Sequence, residues 1–403
     1  MCDENAQNGT DVSSAEESEH FYKIICAFLS YRKFTMTFIN KRLTYISTLP
    51  VKQQIAYRNY KEVLEEVKKC IELNNRILKL ITHDLGKMFE NTRHVWEQNM
   101  TLLRDKMTSE DIDKVQITLK QFYRDWSREG AHEREQAYNP IIEAIENHFP
   151  ENSCHREDVK VLVPGAGLGR LAFEIAMRGF RCQGNEFSFF MLFAANFVLN
   201  RCCDVDMYTV YPWVLQVDNN ITSINQIKGI TFPDCNPADL STKFGESRFS
   251  MAAGDFLEVY VMENEWDCIA TCFFIDCANN IYTFIEQIYR ILKPGGIWVN
   301  LGPLQYHFST TLSEDSLEPS YEEVKEIIRN IGFVIKKEEI GIKTTYSQNP
   351  SSMLKHIFEC VFFVCEKPVV VDTTRNYGEQ EDDDALQVSD STTNSGSTAR
   401  VDT

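Results

Sequence analysis

The sequence lacks a long apolar run, and this absence argues against a helix that spans a membrane. The longest candidate, FSFFMLFAANFVL at 187–199, holds Ser188 and Asn196 and is shorter than the roughly 20 apolar residues that a span needs. The first ten residues, MCDENAQNGT, contain neither a basic nor an apolar stretch, so we expect no secretory signal. We therefore expect a soluble protein of the cytoplasm without a membrane partner, and the nucleus stays open as a second compartment.

A regular cysteine framework is also missing. The 13 cysteines are odd in number and include no paired CxxC half-sites, the spacing that structural zinc sites use. Cys268, Cys272 and Cys277 are close in sequence but have no second half-site. Thiols of a protein that is not exported stay reduced. We interpret the cysteines as small buried apolar side chains and predict no metal.

Basic residues are too few to form a broad surface for nucleic acid. Lys and Arg number 41 against 59 Asp and Glu, a net charge of −18, of which residues 1–18 contribute −5 and residues 369–403 contribute −6. The remaining charge repels phosphate backbones at long range, so we expect no nucleic-acid partner. Both acidic ends contain few large apolar side chains, and we predict that they are disordered tails.

Residues 19–150 have the periodicity of a helical region. From Tyr60 to Leu85 an apolar side chain recurs at three- to four-residue spacing, with charged residues between them. Asn74 interrupts this stripe, and the sequence offers no reason for it. We interpret Pro50 and Pro140 as breaks between helical segments of the region.

Residues 151–368 change to strands that alternate with helices. The strand candidates are VKVLVP at 159–164, a run that ends near Glu186, FSMAAGD at 249–255, WDCIATCFFID at 266–276 and GGIWVNLGPL at 295–304. Apolar strands separated by helices predict a mostly parallel sheet in a Rossmann-like α/β domain. The runs at 332–340 and 356–368 predict a terminal antiparallel pair. The stretch 205–248 is too long for a plain crossover, so we predict an insertion over the active face.

The strongest local signal is VLVPGAGLGRL at 161–171, in which a strand leads into Gly165 and two further glycines before a helix. Glycines allow a sharp turn and the close approach of a ligand to the backbone. Glu186 follows 21 residues after Gly165, at the end of the next strand, where a carboxylate can bind ribose hydroxyls. The G-x-G-x-G spacing differs from the G-x-G-x-x-G that favours a pyrophosphate, so it favours S-adenosylmethionine over a dehydrogenase cofactor.

Two further strand ends contribute candidates. GDF at 254–256 places Asp255 where it could bind an adenine amine, with Phe256 available to pack on the ring. The stretch from Cys272 to Asp276 ends the fourth strand, above which ligands bind in open α/β sheets.

Longer motifs resemble one family. They are PGAGLGRLAFEIAMRGFRCQGNEFSFFMLFAANFVLNRC at 164–202, MAAGDF, WDCIATCFFID, ILKPGGIWVNLGPLQYHF at 291–308, SYEEVKEII at 320–328, LKQFYRDWSREG at 119–130 and ECVFFV at 359–364. Together they resemble the carnosine N-methyltransferase family over nearly everything between the tails. These enzymes methylate the histidine imidazole of β-alanyl-histidine and produce anserine, which implies a histidine-containing peptide as substrate.

The resemblance also implies roles for individual residues. Gln121 and Arg124, three residues apart and so on one face of a helix, match family contacts to S-adenosylmethionine. Further matches to cofactor positions are Gly165, Glu186, Asp255, Phe256 and Cys272. Asp276 and His307 match substrate contacts. An aromatic cluster near the C-terminus closes on the substrate in the family. This chain retains Tyr346 but has His356 and Phe358 in place of tyrosines.

Methyl transfer to an imidazole needs alignment and a free lone pair on one ring nitrogen. A carboxylate that accepts the N–H of the other nitrogen selects that tautomer, and we assign this catalytic role to Asp276. Two alternatives stay open: a methyltransferase that acts on histidines within proteins, and a non-catalytic interaction module. The sequence does not fix the oligomeric state, and a homodimer is one open possibility.

Overall fold

A layer of helices precedes the sheet along the chain. The computed structural model describes residues 4–83, 85, 107–245, 248–311 and 313–369, with side chains from residue 19 onward. The helices of this layer are α1 (Glu4–Thr48), α2 (Val51–Ala56), α3 (Arg58–Thr82), α4 (Ser109–Trp126) and α5 (Ala131–His148). The N-terminal helical region predicted from the periodicity is therefore confirmed.

Helix α1 begins at Glu4 and so includes most of the segment 1–18, for which the composition predicts a disordered tail. The disorder expected for this segment stays a prediction. A helix that is nucleated by packed residues can propagate through a polar stretch at small cost for each added residue. The second predicted tail, 369–403, lies outside the described residues except for Val369.

The interpretation of Pro140 as a break is wrong, because this residue lies inside α5. An interior proline costs a helix about 3 kcal/mol relative to alanine. On the same helix Ala137, Ile141 and Ile145 are completely buried. Burial of such side chains stabilises by about 1.5–3 kcal/mol for each large one, which is enough to offset the proline.

Among the described residues, nine strands follow in two sheets: β1 (Lys160–Pro164), β2 (Arg181–Glu186), β3 (Tyr208–Val210), β4 (Ile230–Phe232), β5 (Phe249–Ala253), β6 (Trp266–Cys272), β7 (Leu292–Gly302), β8 (Val334–Thr344) and β9 (Phe358–Glu366). The main sheet has the order β5-β2-β1-β6-β7-β9-β8, and β3 pairs with β4 in a separate sheet. The first five of these strands are parallel, whereas β9 is antiparallel to both of its neighbours. This confirms the Rossmann-like sheet with a terminal antiparallel pair.

The helices that the structure describes between these strands are α6 (Arg170–Met177), α7 (Phe189–Arg201), α8 (Ser223–Ile227), α9 (Asp239–Phe244), α10 (Phe256–Val259), α11 (Ile281–Ile291) and α12 (Tyr321–Ile331). Alternate residues of the central strands pack into two different cores, one on each face of the sheet. Val161 and Val163 belong to the core that includes the N-terminal helices. Leu162 belongs to the core that includes Ile285 of α11 and Val324 of α12. The sheet is thus covered on both faces, as its apolar strands require.

The segment predicted as an insertion contains the small β3–β4 sheet, and a buried polar residue attaches it to the N-terminal helices. Asn74 of α3 accepts a hydrogen bond from the Tyr211 N–H (2.8 Å) and donates one to the Tyr211 carbonyl (3.0 Å). This pairing explains the polar residue within the stripe of α3, because an amide that satisfies both backbone groups of a loop residue can be buried at low cost. Tyr60, with which the predicted stripe begins, is 40% exposed and so does not belong to the buried face of α3.

Candidate active site

Parallel strands end at one edge of the sheet, and most of the predicted site residues meet there. Glu186 and Cys272 are the last residues of β2 and β6. The loop that holds Gly165 follows β1, and the loop that holds His307 follows β7. In an open α/β sheet this carboxyl edge is where ligands bind.

The glycine loop has a conformation that other residues would strain. Gly165, Gly167 and Gly169 all have positive φ, at 66°, 57° and 81°. A side chain on Gly165 would also approach the Phe274 ring to 2.4 Å. Glycine is needed here because L residues rarely adopt this region.

Glu186 fastens the loop to the next strand. Its carboxylate accepts the N–H of Gly167 at 2.8 Å and the N–H of Ser188 at 2.8 Å. Burial raises the pKa of Glu186, although the hydrogen bonds from these N–H groups counteract the shift. A carboxylate has about four acceptor positions. Glu186 can therefore hold the loop and still accept further hydrogen bonds from a ligand.

The end of α4 is bonded directly to the glycine loop. The Trp126 indole donates to the Leu168 carbonyl (3.1 Å), and the Leu168 N–H donates to the carboxylate of Asp125 (3.3 Å). Arg170, the first residue of α6, donates to the backbone carbonyl of Asp125 (2.9 Å). These bonds make the helical region and the loop one structural unit.

Asp125 is a site residue that sequence reasoning missed. Its buried carboxylate also accepts hydrogen bonds from the Tyr138 hydroxyl (2.8 Å) and the Gln121 amide (3.0 Å). The spacing of four residues from Gln121 places both on one helix face. That spacing is the only signal in the sequence, and it is shared by many exposed helical pairs.

Arg124 places a buried cation beside the loop. It is 2% exposed, its guanidinium lies 4.3 Å from the ring centre of Tyr346, and its Nη1 lies 3.8 Å from a Glu133 oxygen. Within the described part of the chain, Arg124 Nη1 and Gln121 Oε1 are buried and have no hydrogen-bond partner. Both residues line a cavity together with Gly165, Gly167 and Cys272.

An unpartnered buried N–H and an unpartnered buried carbonyl are costly, about 1–3 kcal/mol each. They fit a ligand that carries an anionic acceptor next to a cationic donor. The α-carboxylate and α-ammonium of an amino acid are such a pair. The prediction that Gln121 and Arg124 approach the glycine loop therefore has a geometric basis.

Asp276 and His307 meet across the next part of the edge. Asp276 lies in a short 3-10 turn after β6 and is 3% exposed. Its carboxylate accepts the Gln305 N–H at 2.8 Å, and its backbone carbonyl accepts the His307 N–H at 3.2 Å. Burial raises the pKa of Asp276, while the Gln305 N–H and His307 act in the opposite direction.

Aromatic side chains form a wall beside this pair. The Phe273 ring centre lies 5.0 Å from that of Tyr346 and 5.6 Å from that of Phe358. Both predicted aromatic residues therefore pack against Phe273. His356 is exposed, and its backbone N–H donates to the Gln348 side chain (2.9 Å).

Glu133, also missed in the sequence, fixes the turn that carries Tyr346. This buried carboxylate on α5 accepts hydrogen bonds from the Thr345 hydroxyl and the N–H groups of Ser347 and Gln348, each at 2.8 Å. Because its partners are more than 200 residues away along the chain, no local pattern indicates the role.

Asp255 and Phe256 are engaged locally. The Asp255 carboxylate caps α10 by accepting the Leu257 N–H at 2.7 Å. The Phe256 ring is buried and packs edge-on against Phe274 and Phe284, at 5.7 and 5.6 Å between centres. Their proposed contacts with adenine stay predictions.

A third side chain of a type that can bind a metal ion lies beside Asp276. Cys277 Sγ is 3.8 Å from His307 Nε2, and one atom from each of these three residues lies within 4.8 Å of the others. The cysteine spacings do not indicate a site at Cys277, because His307 is 30 residues further along the chain.

Comparison with known proteins shows the family. The sequence profile of the carnosine N-methyltransferases matches residues 102–369. A carnosine N-methyltransferase of Rattus norvegicus is 48% identical over 87% of this chain and 87% of its own length. Proteins with that name from Drosophila melanogaster and Schizosaccharomyces pombe are 43% and 35% identical, over 90% and 87% of this chain and 83% and 96% of their own lengths. The chain belongs to the carnosine N-methyltransferase family.

Membership in the carnosine N-methyltransferase family confirms the resemblance and the enzyme class predicted from the motifs. The matched range begins before α4 and so includes Gln121 and Arg124, together with every strand of the sheet. The interaction module without catalysis is thereby set aside. Among the residues that the structure describes, no helix combines the length and apolar character needed to cross a bilayer.

Proposed function

We propose that this enzyme uses S-adenosylmethionine to methylate the imidazole of histidine in small peptides, converting carnosine to anserine. The observation that carries the proposal is a pair of buried atoms that have no hydrogen-bond partner among the described residues, Arg124 Nη1 and Gln121 Oε1, in the cavity beside the glycine loop. The names of the related proteins support carnosine as the substrate.

Three residues are suited to hold the cofactor. Arg124 would bind its carboxylate and Gln121 its ammonium, because a charge-assisted bond from a buried guanidinium is strong and oriented. Glu186 would accept the ribose hydroxyls while it holds Gly167. When bound, S-adenosylmethionine supplies a methyl group that is activated by the neighbouring sulfonium.

Asp276 would select the reactive form of the substrate. By accepting the N–H of one imidazole nitrogen, its carboxylate leaves the lone pair of the other nitrogen free to attack. Imidazole has a reference pKa near 6.5, so at neutral pH most of the substrate is unprotonated without the help of a base. As the ring gains positive charge, the adjacent carboxylate stabilises it most strongly in the transition state.

The environment of Asp276 suits a cationic product. Burial raises the pKa of this carboxyl, which means that the isolated anion is poorly solvated there. A ring that becomes positive compensates for that loss, whereas a neutral ring does so only weakly. His307, held to the Asp276 carbonyl through its backbone, would contact the polar ends of the peptide.

The test is incubation of the full chain with isotopically labelled S-adenosylmethionine and several histidine compounds. The panel contains carnosine, other histidine dipeptides and a longer peptide with an internal histidine, and mass spectrometry locates the label. We expect label on the imidazole of the dipeptides. Label confined to the internal histidine would move the enzyme to protein substrates, and no label on any histidine would overturn the proposal.

A further inference from the structure

We propose that Asp276, Cys277 and His307 form a binding site for Zn²⁺, and that the bound ion blocks methylation. The three residues offer a carboxylate, a thiol and an imidazole, which are the ligand types that zinc takes in proteins. None of the roles assigned above uses the Cys277 thiol. The inhibitory part of the inference rests on the proposed function, because it assumes that the substrate binds at Asp276 and His307.

The geometry is close to that of a zinc site. In a tetrahedral site with ordinary bond lengths, a sulfur and a nitrogen ligand lie roughly 3.5 Å apart. Cys277 Sγ and His307 Nε2 lie 3.8 Å apart, and all three ligand atoms lie within 4.8 Å of one another. Small side-chain rotations therefore bring the three atoms around one ion.

The backbone already holds the two ligand segments together. The Gln305 N–H binds the Asp276 carboxylate, and the His307 N–H binds the Asp276 carbonyl. Neither bond uses the thiol of Cys277 or the ring of His307. Support of this kind orients metal ligands before binding and reduces the entropy lost when the ion arrives.

Three protein ligands leave one tetrahedral position open, as in catalytic zinc sites. Binding forms one bond from zinc to each side chain, and the proton of the Cys277 thiol goes to solvent. No electron is transferred.

The consequence for the enzyme follows from the shared residues. An ion bound here occupies Asp276 and His307 as ligands, so these residues can no longer bind the peptide. If a substrate imidazole enters the open position, its nitrogen lone pair is engaged by zinc and cannot attack a methyl group. Both routes lower the methylation rate. Excess peptide relieves only the first, in which the peptide and the ion compete for Asp276 and His307.

Metal binding is tested on the full chain with Zn²⁺ in calorimetry and with Co²⁺ as a coloured probe of thiolate coordination. We expect one ion per chain and a thiolate-to-cobalt absorption band. Cys277→Ser should lose the band and weaken Zn²⁺ binding by more than about 100-fold, the upper range for loss of a supporting group alone. Cys203→Ser, which removes an exposed thiol from the end of α7, is the matched control and should bind like the wild type.

Inhibition is measured separately with carnosine as substrate. The rate of each protein in the presence of a chelator serves as its own reference, and added Zn²⁺ should inhibit the wild type and Cys203→Ser but not Cys277→Ser. Equal zinc affinity in the two cysteine variants, or equal inhibition, overturns the inference. A wild type that binds one Co²⁺ through Cys277 but methylates no histidine in chelator would overturn the proposed function and leave the metal site standing.

Discussion

The indole N–H of Trp126 donates a hydrogen bond of 3.1 Å to the backbone carbonyl of Leu168, within the glycine loop. Trp126 is the last residue of α4 and is completely buried. This bond is one of those that join the helical region to the segment proposed to hold the cofactor.

Removal of this bond should loosen the loop. In Trp126→Phe the Leu168 carbonyl loses its buried donor, and we expect the free energy of unfolding to fall by about 1–3 kcal/mol. The affinity for S-adenosylmethionine should fall with it, as measured by calorimetry.

A fragment that starts at residue 151 lacks Gln121, Arg124 and Trp126 and should not bind the cofactor. Normal binding by a folded fragment would refute the claim that α4 belongs to the site.

The buried carboxyl of Glu186 should make stability depend on pH. Because burial raises its pKa above the ordinary value of 4.5, the folded protein binds this proton more tightly than the unfolded chain does. The stability from protonated Glu186 is thus complete below pH 4.5 and is lost as the pH rises through the raised pKa. Glutamine cannot ionise, so the free energy of unfolding of the wild type minus that of Glu186→Gln should fall with rising pH.

Glu174 provides a control of opposite sign for that measurement. Burial would raise its pKa, but Arg170 and Arg178 outweigh burial and lower it. The stability from this carboxylate is present above pH 4.5 and is lost as the pH falls through the lowered pKa. The difference between wild type and Glu174→Gln should therefore increase with rising pH. The same slope in both variants would contradict the assignment of Glu186.

Asp276→Asn keeps the shape of the side chain and removes the charge. An amide can present its N–H₂ to the ring and select the unproductive tautomer. We expect kcat for carnosine to fall about 10²- to 10³-fold, the usual effect of removing one positioned group that stabilises charge in the transition state. Cofactor affinity should hardly change, since the loss is in the transition state. A variant with near wild-type kcat would exclude Asp276 from this role.

Glu133→Gln should act on the substrate through the Tyr346 turn. Glutamine has one acceptor oxygen in place of two, so at least one of the three 2.8 Å bonds to residues 345–348 is lost. We expect KM for the peptide to rise more than kcat falls, because the chemistry at Asp276 is untouched. Glu135→Gln, an exposed position on the same helix, is the control. A purely structural role would instead lower the melting temperature and leave KM unchanged.

The parts that the sequence predicts are those with a local signal. Strand β1, the glycine loop and Glu186 lie within about one βαβ unit, and their spacing is set by the turn and by the length of the helix between. The alternation of apolar strands with helices likewise indicates the sheet before any contact is known.

The parts that escaped prediction depend on distant partners. Asn74 binds a loop that lies 137 residues away, and Cys277 meets His307 across 30 residues. A single sequence carries no mark of such pairs, because each residue alone resembles an ordinary surface or core position. Pro140 shows the reverse case. The local rule that proline interrupts a helix fails there, because the packing of α5 stabilises the helix.

Strand β9 lies between β7 and β8 although it is the last strand of the chain. During synthesis the chain emerges from its N-terminus, so β7 has an unpaired edge until residues up to Glu366 have left the ribosome. Strand β8 meanwhile has no neighbour in the sheet, so the turn with Tyr346 has its bonds to Glu133 but not the support of a paired β8. The aromatic wall is therefore the last part of the enzyme to assemble. Premature termination before Phe358 should therefore yield a product without activity.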